Sequence, residues 1–160
     1  MKIAVVGASG LIGTKVVGGL GHQGHEVVAA SRGSGVDVLT GDGLGEALAR
    51  ANVLVDVTNS PSFEDEFTEA ITASLTIGNE VRVPDALIQP IAADDVAAEV
   101  VRVATGEPLN GVVNIGGPEK ISFERMAREV LARQVDDKPV IVDPQARYFG
   151  TPVRRDSLVT

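Results

Sequence analysis

"VVGASGLIGTKVV", residues 5–17, places glycines at 7, 10 and 13 between an apolar run and an amphipathic stretch. Each glycine meets a separate need: the first allows a sharp turn out of a strand, the second lets a ligand approach bare backbone, and the third lets helix and strand pack closely. The preceding run KIAVVG (2–7) reads as a strand covered on both faces. Beyond the bend, Leu11, Ile12, Val16, Val17 and Leu20 recur at helical spacing up to a turn at 21–24. A helix that begins directly behind such a bend turns unpaired amides and the positive end of its dipole toward whatever lies above it. The expected ligand is the pyrophosphate of a dinucleotide, held by Gly7, Ser9, Gly10, Leu11, Ile12 and Gly13.

Working outward, EVVAAS (26–31) reads as a second strand, Leu44, Ala47, Leu48 and Ala51 as a short helix, and NVLVDV (52–57) as a third buried strand. Strands and helices alternating over short joints imply parallel pairing through right-handed crossovers. The expected fold class is therefore α/β, an abbreviated Rossmann-type parallel sheet flanked by helices. In the usual order of such a sheet the third strand lies outside the second, which leaves KIAVVG with a bare edge. That edge is expected to be covered by GVVNI (111–115), by another late strand, or by a second subunit in a homodimer.

The end of the second strand bears on which dinucleotide binds. An NAD site places an Asp or Glu there for the ribose 2′-hydroxyl, whereas this chain reads AASRGSG (29–35). Arg32, with the hydroxyls of Ser31 and Ser34, suits a 2′-phosphate, so NADP(H) is preferred over NAD(H). Thr58 and Asn59 leave the carboxyl end of the third strand, where open parallel sheets bind ligands. Asp42 in TGDG (40–43) reads either as a neighbour of the adenine amino group or as a helix cap.

Further on, Phe63, Phe67, Ala70, Ile71 and Leu75 form one helical stripe ending before a Gly78–Asn79 turn. EVRVP (80–84) reads as an edge strand closed by proline. Asp94 or Asp95 is expected to cap a helix with Val96, Ala97, Val100, Val101 and Ala104 inward, and Ser122 another with Phe123, Met126, Ala127, Val130 and Leu131 inward. GVVNIGG (111–117) and KPVIVD (138–143) read as further strands. No Pro-, Gly- and Ser-rich linker divides the chain, so residues 1–160 are expected to form one domain, 1–66 its dinucleotide-binding half and 67–160 a C-terminal segment.

Composition narrows the partners. With 22 acidic against 14 basic residues, the net charge of −8 repels phosphate backbones, and an aromatic content of 3% leaves few stacking platforms, so nucleic acid is not an expected partner. No apolar run reaches the roughly 18 residues of a membrane span, and the amino terminus does not read as a secretory signal. Zero cysteines exclude disulfides and thiol chemistry, and the expected location is the cytoplasm. His22 and His25 straddle Gly24 in a turn and read as surface residues, so no metal is expected.

MKIAVVGASGLIGTKVV (1–17), VDVTNSPSFED (55–65), IQPIAADDVAAEV (88–100) and LNGVVNIGGPEKISFERMAREVL (109–131) together resemble the atypical short-chain dehydrogenase/reductases, specifically their NmrA-like NAD(P)-binding group. The resemblance implies that Gly7, Gly10 and Gly13 hold pyrophosphate, that Arg32 sits at the 2′ position, and that Thr58 and Asn59 border the cofactor. It also implies a fourth and a fifth strand and a catalytic Tyr-x-x-x-Lys before the block at 67–84, and at about 30 residues per β-α-β step these do not fit into this chain. Its one tyrosine, Tyr148 in QARYFGTPV (145–153), has Pro152 where the lysine would stand, so it reads as a packing residue and the catalytic residues are unknown. Three readings stay open: an NADP(H)-binding protein with impaired catalysis, serving binding or redox sensing; an active NAD(P)H-dependent oxidoreductase on a small carbonyl or quinone substrate; and an interaction module without nucleotide.

Overall fold

The structure, a computed structural model, describes residues 1–58 and 67–160, of which 67–70 are described by backbone alone. In chain order the elements are β1 (Lys2–Val6), α1 (Leu11–His22), β2 (Glu26–Ala30), α2 (Leu44–Leu48), β3 (Val53–Asp56), α3 (Phe67–Ser74), β4 (Thr76–Ile77), β5 (Glu80–Val83), β6 (Leu87–Ile88), α4 (Ala93–Thr105), β7 (Ile121–Ser122), α5 (Phe123–Gln134), β8 (Val140–Val142), β9 (Arg147–Tyr148) and β10 (Thr151–Pro152). They group into two compact units, one of Met1–Glu64 with Ala92–Val113, the other of Asp65–Ile91 with Asn114–Thr160. Among the described residues no helix is long and apolar enough to cross a membrane.

In the first unit a parallel sheet has the order β2-β1-β3, with Val5 opposite both Ala29 and Val55. This corrects the expected order: β3 lies on the far side of β1, not outside β2, so β1 has no bare edge for a second subunit or a late strand to cover. The burial of the strands explains the choice. Ile3, Ala4 and Val5 are fully buried and need neighbours at both edges, whereas β3 buries one face and exposes the other, which suits an outer position.

The reversal also distributes the helices. The chain moves one way from β1 to β2 and then back across β1 to β3, so right-handed crossovers place α1 and α2 on opposite faces. On one face, Val16 and Leu20 of α1 and Ala97 and Val101 of α4 close over Ile3, Val5 and Val55. On the other, Ala47 and Leu44 of α2 pack with Val36 against Val6 and Ala30. Each fully buried aliphatic here is worth about 1.5–3 kcal/mol. α1 and α4 approach closely because Gly19 has no side chain; a Cβ there would stand 3.0 Å from Val101 Cγ2. The Lys15 ammonium meets the Asp94 carboxylate at 2.6 Å at the start of α4. Asp94 and Asp95 are not caps: Ala92 occupies the N-cap, and the acids sit in the first turn, where they face the positive end of the helix.

The second unit has a sheet of order β4-β5-β8. β5 is central, not an edge strand: β4 pairs with it antiparallel through a turn at Gly78 (φ +63°), and β8 parallel on its other side. The proline ends the strand without exposing it. Ile71 of α3, Leu75 in the turn after it, Val81 and Val83 of β5, and Phe123, Met126, Ala127 and Leu131 of α5 form the core; Phe63 lies outside the described residues. Ser122 caps α5 as expected, its hydroxyl oxygen accepting the Arg125 amide at 3.1 Å. GVVNI does not form a strand. Residues 111–115 run as irregular chain with Val112 91% exposed.

Candidate nucleotide site at the end of the parallel sheet

In an open parallel sheet, ligands bind outside the carboxyl ends of the strands where the direction of winding reverses. Here that point lies between β1 and β3, and the glycine bend leaves β1 there. Gly7 takes φ +82°, a left-handed conformation that disfavours any side chain, and a Cβ on it would stand 2.9 Å from the Thr58 amide nitrogen and the Val57 carbonyl. The bend is thus pressed against the end of β3, bringing Gly7 and Thr58 together. On its other side it is tied to β2, with the Ala30 carbonyl accepting the amides of Gly7 at 3.1 Å and Ala8 at 3.2 Å.

Beyond the bend, the Gly10 amide donates to the Gly7 carbonyl at 3.1 Å, and Gly10 is the N-cap of α1 in extended conformation. A Cβ on Gly13 would meet the Gly7 carbonyl oxygen at 2.1 Å, so the first turn of α1 lies directly on the bend. Thr14 pins it, its hydroxyl donating to the carbonyl of Gly10 at 2.9 Å and of Ala8 at 3.3 Å. Sequence reasoning passed over Thr14, although its place four residues after the cap is where a threonine reaches back to a carbonyl.

The amides of Leu11, Ile12 and Gly13 have no acceptor among the described residues, as the first turn of a helix requires. The first turn contains no acidic residue and Gly10 supplies no side-chain cap, so neither offsets the positive end of the dipole. Ser9 and Leu11 are exposed beside these amides, while Ile12 packs inward onto the core. Such an arrangement suits an anion with several oxygens.

Past Ala30 the chain turns through a short 3₁₀ segment, Arg32–Ser34, with Ser31 at its N-cap. The Ser34 hydroxyl accepts from the Ser31 amide and donates to the Ser31 carbonyl, both at 2.9 Å, so it serves the turn. Arg32 is exposed, and among the described residues its guanidinium has no hydrogen-bonded or ionic partner. Asp42 takes the Thr40 hydroxyl at 2.8 Å, and the cap of α2 is Gly43 at φ +67°. Thr58 is held by Asp56, whose Oδ1 accepts both its amide at 2.9 Å and its hydroxyl at 2.7 Å. The Asp-x-Thr spacing is a local turn pattern legible in sequence, and it was not used. Asn59 lies outside the described residues.

No protein-family model matches the chain, and no curated protein matches it. Among solved structures it is similar to the crystal structure of a hypothetical dTDP-4-dehydrorhamnose reductase from Sulfolobus tokodaii, with a TM-score of 0.58 over 98% of this chain and 90% of that one. The fold is Rossmann-type. At 14% identity the likeness extends to the fold alone.

Tyr148 belongs to the second unit, where its ring packs edge-on against Phe123 (centroids 5.7 Å apart) and Phe149 (4.7 Å). Burial pushes its phenol above the ordinary tyrosine value. A tyrosine that donates a proton near neutral pH needs the opposite shift, of the kind a neighbouring lysine provides.

Proposed function

We propose that this chain binds NADP(H) by its adenine and pyrophosphate end, as a Rossmann-type protein of the atypical short-chain reductase kind, and that it acts in the cytoplasm as a binder or redox sensor with impaired hydride transfer. The observation that carries this reading is the row of unpaired amides at Leu11, Ile12 and Gly13, set over a side-chain-free bend at the point where the sheet reverses its winding. Gly7, Ser9 and Gly10 shape the bend, and Thr58 borders the ribose side. Support for NADP(H) over NAD(H) comes from Arg32, which has no partner among the described residues, beside Ser31 and from the absence of a carboxylate at the end of β2. Support for impaired catalysis comes from the setting of Tyr148 and from Pro152 in the lysine position.

A calorimetric titration with NADPH and NADH tests the reading. NADPH is expected to bind more tightly, and Arg32→Ala to weaken NADPH about tenfold or more while leaving NADH unchanged. An unchanged NADPH constant in Arg32→Ala removes the 2′-phosphate assignment, and no binding of either nucleotide leaves the interaction-module reading. The similarity to a hypothetical dTDP-4-dehydrorhamnose reductase favours a second reading, an active NAD(P)H-dependent oxidoreductase. NADPH oxidation over dTDP-4-dehydrorhamnose, small carbonyls and quinones distinguishes the two: turnover of any of them excludes impaired catalysis.

A further inference from the structure

β3 has a single neighbour. Among the described residues its inner edge pairs with β1 and no strand pairs with its outer edge. Its side chains alternate cleanly: Val53, Val55 and Val57 pack into the core beneath α1 and α4, while Asn52, Leu54, Asp56 and Thr58 are exposed. Leu54 is 51% exposed in the middle of the strand. An unpaired edge beside an exposed leucine, with no proline or lysine to block it, is a template for another strand. The opposite edge of the sheet, on β2, exposes no large apolar side chain.

The polar residues flanking Leu54 indicate which strand fits. Asn52 Oδ1 accepts the Lys2 amide at 2.8 Å, and among the described residues its Nδ2 has no partner. Asp56 Oδ1 accepts both groups of Thr58, and among the described residues Oδ2 has no partner. Along the exposed face the order is thus donor, leucine, acceptor. Turned end for end, this order is its own complement: in an antiparallel pair centred on Leu54, each Asn52 amide faces an Asp56 carboxylate and the two leucines meet. No like charges stand opposite each other.

We propose that β3 is a self-association edge, pairing antiparallel with β3 of a second copy of this chain about a two-fold axis through Leu54, so that two three-stranded sheets become one of six. A strand of four residues supplies less than the roughly 800 Å² per partner of a standard interface, so the dimer is reversible.

Sedimentation across a concentration series into the high micromolar range tests this. The wild-type mass is expected to rise from 16.6 kDa toward twice that value. Asn52→Asp sets carboxylate against carboxylate at both ends of the pair and is expected to weaken the dimer about tenfold or more. Asn52→Asp combined with Asp56→Asn exchanges donor and acceptor and restores the complement, so the double variant should dimerise within about threefold of wild type. Both substitutions keep the oxygen that Lys2 and Thr58 use, and circular dichroism melts check that the fold is retained. Leu54→Lys provides a second variant, expected to be monomeric throughout. A wild-type monomer at every concentration overturns the proposal, as does a dimer indifferent to Asn52→Asp or Leu54→Lys, or a folded double variant that stays as weak as Asn52→Asp.

Discussion

A Cβ on Gly13 would stand 2.1 Å from the carbonyl oxygen of Gly7. Real Cβ atoms do not come so near a backbone oxygen, so the contact fixes how closely α1 rests on the bend. Gly18, five residues along the same helix, has nothing within 4 Å of its Cβ position. Gly13→Ala is therefore expected to destabilise the fold by about 1–3 kcal/mol, and Gly18→Ala to stabilise it by about 0.5–1 kcal/mol through the better helix propensity of alanine. Denaturant unfolding of the two variants checks the opposite signs; equal effects refute the close contact.

The cap of α5 gives a local prediction. With the Ser122 hydroxyl removed, the Arg125 amide loses its acceptor at a helix whose buried face carries Phe123, Met126 and Val130. Ser122→Ala should cost about 1 kcal/mol, and Ser122→Asp should recover most of it, because an aspartate oxygen accepts the same amide. The measurement is again the unfolding free energy of each variant.

The β1, α1, β2 portion was legible because its signals are local: a buried apolar run, three spaced glycines and a helical stripe all lie within thirty residues of one another. The side of β1 on which β3 lies was not, since that choice depends on which strand can tolerate an open edge, and VLVD betrays its half-exposed face only once α1 and α4 cover the other. EVRVP was misplaced for a related reason: its pairing partner Val140–Val142 lies nearly sixty residues away, and proline at its end speaks to the strand's length and not to its neighbours. GVVNI has strong strand propensity, yet the chain there is irregular and Val112 exposed, because strand propensity describes a half-buried pleated surface that these residues do not meet. At the candidate site, the glycine bend between β1 and α1 was readable from spacing, whereas the holding roles of Ala30, Thr14 and Asp56 depend on which carbonyls and amides the fold brings within reach.

Asp143 links β5 to the turn after β8. The Gln145 amide donates to its Oδ1 at 2.8 Å and the Arg82 guanidinium to its Oδ2 at 3.2 Å, and these bonds hold its carboxyl below the usual aspartate range. Lys138 does the same for Asp136, and Arg102 for Glu99. A lowered folded value means that the stabilisation is complete above the unfolded value of about 4 and is lost as pH falls through the folded one. Asp143→Asn keeps the Gln145 acceptor and removes the charge. Its melting temperature should lie below wild type at neutral pH and converge with it in acid, a crossover that melts taken between about pH 6 and pH 2 would show. Parallel curves refute the linkage.

Leu11 offers a substitution with opposed effects on folding and on binding. It is 59% exposed at the first position of α1, in a turn with no acidic residue, so replacing it removes little packing. Leu11→Asp places a negative charge against the positive end of the helix and should raise the stability of the nucleotide-free protein by about 0.3–1 kcal/mol. The same charge would stand beside a diphosphate held by the Leu11, Ile12 and Gly13 amides, and repulsion at that range should weaken NADPH about tenfold or more. A thermal melt without nucleotide and a calorimetric titration with NADPH read the two effects separately. Greater stability with unchanged affinity means that the nucleotide's phosphates lie elsewhere; lower stability with weaker binding means that the substitution merely damaged the bend.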